Sequence, residues 1–416
     1  MIALYSARGQ ILALDTALAG SSHRQPLQRP WVLAGLASQP HLSLDNRPVQ
    51  EALGEFRAYL QQVHRLANGE DIHTYCAQDN FNSEFVTAAE RRYKNITSNE
   101  NGKKLFVAVN LFNSEVILPN MVAQLLALAD TLGRRQVFVS IYENGSRDRT
   151  KDILGRFNHI LDMLGIEHRI VADDAPRPRH SHRIEYMAEI RNRALEPLYQ
   201  NGAAFGRAVF INDMFFCLTD ILELVYQSHA HGAHLTCAED FEFRHGSLAF
   251  YDTWVSRDML GHAFKSQIYR IADDDTAAVA QLTNRPFQVQ CCWNGMAVID
   301  TRVFAGNSAL RFRRSTADEC SASECSLLCN DMWAHGYRRA VVVPRVKLSY
   351  DIATRELLRA PYNFPRDAPF RDSRLQRIAF RPGPKTVYCN PLNGVGARNP
   401  DGSASLVALN IGDVSM

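Results

Sequence analysis

The hexapeptide Val209-Phe210-Ile211-Asn212-Asp213-Met214 joins an apolar run to an Asn-Asp pair. A strand ending this way delivers a carboxylate to its carboxyl end, where open α/β sheets bind ligands. A carboxylate there can hold a Mg²⁺- or Mn²⁺-type ion against a diphosphate, because such cations bridge protein carboxylates to phosphate oxygens. Taken alone, the same six residues also read as a strand and an Asx turn. Three further apolar runs end in polar residues: Asn110 and Asn113 after the first, Glu143-Asn144 after the second and Asp173-Asp174 after the third. Four such ends on one sheet edge describe a crevice for a polar, phosphorylated molecule.

Residues 142–150 (YENGSRDRT) place a strand end, a Gly turn and a helix start in sequence. Ser146 or Asp148 is expected to cap that helix, whose amide groups then face the crevice and favour anions. The turn resembles the D-G-S-x-D-x-T turn of nucleotide-sugar transferases, with Glu-Asn replacing the leading acid; Glu143 would then accept hydrogen bonds from base or ribose. Residues 180–192 supply positive charge. Arg183 at the helix start and Arg191 eight residues on share roughly one face, and guanidinium pairs bidentately with phosphate. Arg191 has a second reading, a salt bridge to a carboxylate on another element, while Arg193 and the Arg177/Arg179 pair read as surface or loop charges. Residues 323–337 read as a capped helix with Leu327, Leu328 and Met332 inward and Gly336 at its end. This helix resembles the E-D-x-x-L-x-x-R-L-x-x-x-G-Y helix of GT-A transferases, with Cys325 in place of the second acid. Glu324 would face an acceptor, or else be an ordinary first-turn acid.

The elements that must carry these residues follow from pattern. The 416 residues are 46% hydrophobic and 22% charged, an ordinary globular composition. Forty-six Lys+Arg against 44 Asp+Glu give a formal +2, so nothing global points to nucleic acid. From Lys104, short apolar runs at 104–110, 136–143, 167–172 and 207–212 alternate with helical patterns at 115–132, 147–164, 183–200 and 218–230. That alternation predicts an α/β fold, a mostly parallel sheet with helices on both faces. Shorter strands are expected at 234–238, 248–251, 288–292, 295–299 and 338–343, with a helix at 323–335. We divide the chain into an N-terminal helical or irregular segment (1–102, with a helix at about 49–66), a main domain (103–352) and an irregular Pro-rich tail (353–416).

No window reaches the roughly 18 consecutive apolar residues of a membrane span. Residues 1–20 lack a clean apolar h-region, so neither signal peptide nor anchor is read there. Of nine cysteines, Cys320, Cys325 and Cys329 cluster without a usual zinc spacing, which favours disulfide or helix-packing roles. Asn95-Ile96-Thr97 is a glycosylation sequon and hints at a secretory compartment.

Eight stretches (VNLFNSEVILPN, YENGSRDRT, HRIEYMAEIRNRALEPL, VFINDMFFC, HLTCAEDFEF, FYDTWVSRDMLG, CWNGMAVID and SECSLLCNDMW) lie in order between Leu105 and Tyr350. Together they resemble the fungal capsule-associated α-1,3-mannosyltransferase family, the cryptococcal mannosyltransferase type. The resemblance implies a GT-A (Rossmann-like) fold, a GDP-mannose donor, an oligosaccharide or polysaccharide acceptor containing mannose, Mn²⁺ (or Mg²⁺), and retention at the anomeric carbon. It also implies a type II protein of the Golgi lumen, held to the membrane by an anchor not seen in this sequence. The family's metal motif matches as Asn212-Asp213, not a strict D-x-D, with Asp213 as the metal residue. Asn110, Glu143, Asn144, Arg183, Arg191 and Asn212 form the expected donor side. Retention with no obvious nucleophile leaves same-face attack by the acceptor hydroxyl, guided by Asp240, Asp252 and Glu324 as catalytic groups, with Trp293, Asn294 and Asp331 on the acceptor. Trp293 is either a flat platform for a sugar ring or a core aromatic. Two rivals remain: a sugar nucleotidyltransferase, which usually brings a Gly-rich basic loop absent from Val109-Asn110-Leu111-Phe112-Asn113, and a non-catalytic sugar- or nucleotide-binding scaffold of the same fold.

Overall fold

In the computed structural model of the protein, three of the four leading apolar runs become largely buried strands, and the run at 167–172 becomes a half-exposed edge strand. The described residues are 47–68, 76, 92, 93, 96, 102–174, 178, 181–306, 309–317, 319–359, 377–392 and 406–408. Expectations for residues 1–46, the sequon at Asn95, Arg177, Arg179 and most of the stretch from 360 onward fall outside them.

After helix α1 (Arg47–Asn68), strands and helices alternate: β1 (Lys104–Leu111), α2 (Leu118–Leu132), β2 (Val137–Asn144), α3 (Thr150–Leu164), β3 (Glu167–Asp173), α4 (Arg183–Gln200), β4 (Phe205–Ile211) and α5 (Leu218–His231). Then come β5 (Leu235–Arg244), β6 (Ser247–Phe250), α6 (Asp275–Leu282), β7 (Phe287–Val289), β8 (Met296–Asp300), α7 (Glu324–Ala334), β9 (Ala340–Ser349), α8 (Ile352–Arg359) and a small pair, β10 (Thr386–Tyr388) with β11 (Leu406–Ala408). The main sheet runs β3-β2-β1-β4-β8-β5-β9-β7, with β6 paired to β5. β3, β2, β1 and β4 are parallel, β8 is inserted antiparallel, β5 and β9 are parallel, and β7 closes the edge antiparallel.

The chain winds outward from β1 to β3, then returns to place β4 on the other side of β1. That reversal is a topological switch point, where a crevice opens outside the carboxyl ends of the strands. Leu105 to Val109 are all buried, and strand alternation divides them between the two faces. Phe106 and Ala108 share one core with Ala188 and Ile190 of α4 and Cys325 and Leu328 of α7. α2, α3 and α5 form another helical layer, with α1 packed on α2 and α3. α3 buries Ile153, Leu154, Phe157, Ile160, Leu161 and Leu164 at helical spacing, then stops at Gly165 (φ 64), where Ile166 N donates to Leu161 O.

Several boundaries differ from expectation. α2 begins at Leu118 with Pro119 in its first turn, because a proline lacks the N–H that an interior turn needs. β5 and β9 run past 238 and 343 because they pair with each other and β5 turns into β6. β7 stops at Val289, short of the expected 292. α6 and α8 were not expected at all.

Candidate active site

β4 hands the chain to the crevice through a fixed turn. Asn212 N donates to Gly295 O (2.8 Å) and Phe215 N to Ser349 O (3.0 Å), so the strand end is tied to the turn before β8 and to the end of β9. Asp213 between them is exposed. Burial by the surrounding protein pushes its carboxyl up, and its own backbone N–H and Arg191 pull the other way; its contact with solvent limits that rise.

Asn212 is held from below. Its Oδ1 accepts from Arg191 Nη1 (3.4 Å) and Trp293 Nε1 (3.3 Å). Arg191 is itself buried, donates through Nε to Glu324 Oε1 (2.9 Å), and stacks against Phe210, Trp293 and Phe312. The carboxylate on another element is therefore Glu324, at the first turn of α7. The structure places both charges beneath the crevice, not on its surface. Trp293 is 3% exposed and packs on Phe210 and Phe312, the arrangement of a core aromatic and not of an open sugar platform.

Across β8 from β4 lies an acidic pair. Asp240 of β5 is fully buried; its Oδ1 accepts from Asp252 N (3.2 Å) and its Oδ2 from Tyr350 Oη (3.1 Å). Asp252 accepts from Val255 N (3.2 Å) and Asn294 N (3.0 Å). Burial and the charge of Asp252 push the Asp240 carboxyl well up, while the amides of Asn294 and Val255 restrain the rise that burial imposes on Asp252. Asn294, at φ 49, is fully buried and bonds Ser256 Oγ (2.6 Å) and Ala238 O (2.7 Å). It shapes the turn instead of facing an acceptor.

On the donor side, the β1 and β2 turns are stapled together. Asn113 N donates to Ser146 Oγ (2.7 Å), Arg147 N to Asn113 Oδ1 (2.9 Å) and Glu115 N to Asp148 Oδ2 (3.1 Å). The expected side-chain cap on α3 is absent at its N-cap position, Arg149; Asp148 instead accepts from Thr150 N (3.0 Å), and Ser146 is spent on the β1 turn. Glu143 is fully buried, with Oε1 accepting from Ser146 N and Lys151 Nζ 3.8 Å from Oε2. Glu143 Oε2 has no hydrogen-bond donor among the described residues. Asn110 Nδ2 donates to Ile190 O (2.8 Å), and its Oδ1 likewise has none. Asn144 bonds the Tyr186 hydroxyl (3.2 Å). Arg183 is exposed at the start of α4, its guanidinium 6.0 Å from the Trp254 ring. Asp331, further along α7, is paired with Arg313 through both oxygens (2.8 Å each).

Sequence reasoning missed Tyr350 and Tyr251. Tyr251 is exposed and packs on Tyr350 (4.8 Å between rings), bordering the acidic pair. No local signal marks Tyr350, because the pairing of β5 with β9 brings it to Asp240. Eight of the nine cysteines form disulfides: Cys76–Cys217, Cys237–Cys292, Cys291–Cys329 and Cys320–Cys389, leaving Cys325 free and buried. Among the described residues, no three His, Cys, Asp or Glu side chains converge as a metal site. Asp213 offers an exposed carboxylate at the end of β4, an oxygen donor that suits a Mg²⁺-like ion completed by waters and phosphate oxygens.

A family model described as Cryptococcal mannosyltransferase 1 matches residues 104–331. The chain is similar to alpha-1,3-mannosyltransferase CMT1 of Cryptococcus neoformans var. neoformans serotype D, 30% identical over 357 residues, which cover 79% of this chain and 74% of the relative. Among solved structures, it is similar to S. aureus TarS (TM-score 0.37, 12% identity, 59% of this chain and 60% of that one). It is also similar to mannosyltransferase PcManGT from Pyrobaculum calidifontis in complex with GDP-Man and Mn²⁺ (TM-score 0.35, 12% identity, 71% and 68%).

Proposed function

This chain belongs to the Cryptococcal mannosyltransferase 1 family and is a hexosyltransferase, and on that premise we propose that its residues 103–352 transfer mannose from GDP-mannose to a hydroxyl of a mannose-containing glycan, in α-1,3 linkage with retention. One observation carries the donor assignment. Asn110 Oδ1 and Glu143 Oε2 are buried acceptors with no hydrogen-bond donor among the described residues, on neighbouring strand ends where Leu111 is the register partner of Glu143. A buried acceptor left without a hydrogen bond costs about 1–3 kcal/mol, a cost that a ligand's N–H or O–H relieves; the Lys151 ammonium, 3.8 Å from Glu143 Oε2, pairs with its charge but lies beyond hydrogen-bond distance. A guanine edge or ribose hydroxyls supply such donors.

Asp213 is the residue that would hold a Mn²⁺ or Mg²⁺ ion together with the donor diphosphate. When bound, the ion supplies positive charge to the leaving diphosphate. Arg183 adds an exposed cation at the rim, where a guanidinium fits phosphate. The Arg191–Glu324 pair acts through Asn212, fixing the turn that aims Asp213. Asp252, held by the amides of Val255 and Asn294, accepts a hydrogen bond from a sugar hydroxyl in this reading, and Asp240 lies behind it, bonded to Tyr350. Asp331 and Asn294 support the acceptor side through Arg313 and the β8 turn.

Four disulfides fit an oxidising compartment, in keeping with a Golgi lumen. No helix among the described residues is long and apolar enough to cross a membrane. A screen of nucleotide sugars with mannobiose, with and without Mn²⁺, tests this reading. GDP-mannose should be preferred and its turnover should need the metal. Binding without turnover would mean a scaffold, and synthesis of a sugar nucleotide from a nucleoside triphosphate would mean a nucleotidyltransferase.

A further inference from the structure

Trp293, the aromatic expected on the acceptor side, packs into the core, and a different aromatic stands exposed there. Tyr251 is 45% exposed and directly follows β6, whose last residue, Phe250, is buried. The β5–β6 ladder pairs Phe241 with Phe250 and continues one step further: Tyr251 N donates to Asp240 O (2.9 Å), and Tyr251 O accepts from Thr253 N (2.8 Å). Residues opposite one another in an antiparallel pair project from the same face. The Tyr251 ring therefore stands on the face of the sheet that carries the Asp240 carboxyl.

Its neighbours fix the ring and surround it with oxygen acceptors. It packs on the Tyr350 ring (4.8 Å between centroids), and the Tyr350 hydroxyl is itself bonded to Asp240 Oδ2 (3.1 Å). Asp252, the next residue in the chain, is half-buried. Burial pushes the Tyr251 hydroxyl up, and the carboxyls of Asp240, Glu242, Asp252 and Asp213 add to that rise. The ring is thus within charge reach of the β4 strand end. Asn110 and Glu143, whose oxygens await a donor, lie on β1 and β2 to one side of β4, whereas β5 and β6 lie to the other side, beyond β8. Tyr251 flanks Asp213 away from the groups assigned to the base and ribose.

We propose that Tyr251 is the platform on which the acceptor pyranose lies, an inference that rests on the transferase reading above. A pyranose presents C–H bonds on its faces and hydroxyls around its rim. An exposed phenol ring suits the face, and carboxylates beside it suit the hydroxyls. The consecutive residues Tyr251 and Asp252 offer both. Tyr350 is a positioning residue, holding the ring without reaching the sugar.

The test compares the full chain with its Tyr251→Leu and Tyr251→Phe variants in mannosyl transfer from GDP-mannose to mannobiose. Tyr251→Leu keeps apolar packing on Tyr350 and removes the ring; acceptor KM should rise about tenfold or more while donor KM moves less than about threefold. Tyr251→Phe keeps the ring and should hold acceptor KM within about threefold of wild type. An unchanged acceptor KM in Tyr251→Leu overturns the proposal, as does a rise confined to donor KM, which would put the ring on the donor. Equal losses in both variants overturn it too, since the hydroxyl and not the ring would then be the working group. Saturation-transfer NMR of mannobiose, with GDP and Mn²⁺ present, separates this inference from the reading it rests on. If wild type transfers no mannose, that reading fails, yet mannobiose contact kept in Tyr251→Phe and lost in Tyr251→Leu still upholds the platform. Absence of contact with wild type overturns it.

Discussion

Glu143 meets two demands with one carboxylate: Oε1 closes the Ser146 turn and Oε2 is left over, buried and without a hydrogen-bond donor among the described residues. Glu143→Gln keeps an oxygen for the turn but turns an amide NH₂ toward the ligand's donors. Donor KM should therefore rise roughly tenfold to a hundredfold with little change in melting temperature; initial-rate kinetics check this, and an unchanged KM would remove Glu143 from the donor site. Arg191 and Glu324 behave differently, since each is buried and each needs the other. Glu324→Ala strands a guanidinium and should cost about 3–5 kcal/mol in urea unfolding, with Arg191→Met/Glu324→Ala costing less than the single change. Sequence left Arg191 open between donor and salt bridge because its partner lies on α7, across a helix–helix contact that no local pattern encodes. Glu239 was invisible for a similar reason. Burial pushes its carboxyl up to about 7, against a weaker pull from Lys347 and Gln281. The native state thus holds a proton that the unfolded chain releases, so stability falls as pH rises from about 4.5 to about 7. Asp240 adds a slope of the same sign. Glu239→Gln should flatten part of that fall in a melting-temperature profile, and a profile identical to wild type would contradict the assignment.

At the scale of elements, the alternating βα units were legible from their apolar periodicity, and so was the polar ending of β1, β2, β3 and β4. α6 was not, because Ala277, Ala278 and the polar Gln281 are its inward residues and give little amphipathic contrast, although Asp274 caps it through Thr276 N (2.8 Å). The turn before β8 was legible only as Trp293 and Asn294 near an apolar run. Its geometry depends on Asn294 and Gly295 both at positive φ (49 and 78), and a Cβ on Gly295 would run into Met214. Gly295→Ala should destabilise the protein by about 1–3 kcal/mol and lower turnover by displacing Asn212, whose N–H bonds Gly295 O. The adjacent Cys291 and Cys292 tie this segment to α7 and β5. Replacing Cys291 and Cys329 together by Ser should cost about 2–4 kcal/mol, measured by denaturant unfolding; an unchanged midpoint would show that the bridge carries no stability. Neighbouring cysteines with different partners cannot be paired from spacing alone.

For the whole molecule, a formal +2 gave no warning that the carboxyls of Asp213, Asp240 and Asp252 gather around Tyr251, because a sum over the chain hides where charges meet. Family membership, by contrast, was carried by ordered motifs and needed no geometry. The central claim joins the two: a family transferase whose donor is aimed by Asp213 at the end of β4. The most direct test is mannosyl transfer from GDP-mannose to mannobiose by wild type and Asp213→Ala across a Mn²⁺ titration. The account predicts metal-dependent transfer by wild type and a turnover loss of roughly a hundredfold or more in the variant. Full turnover by Asp213→Ala with the metal still required would contradict it.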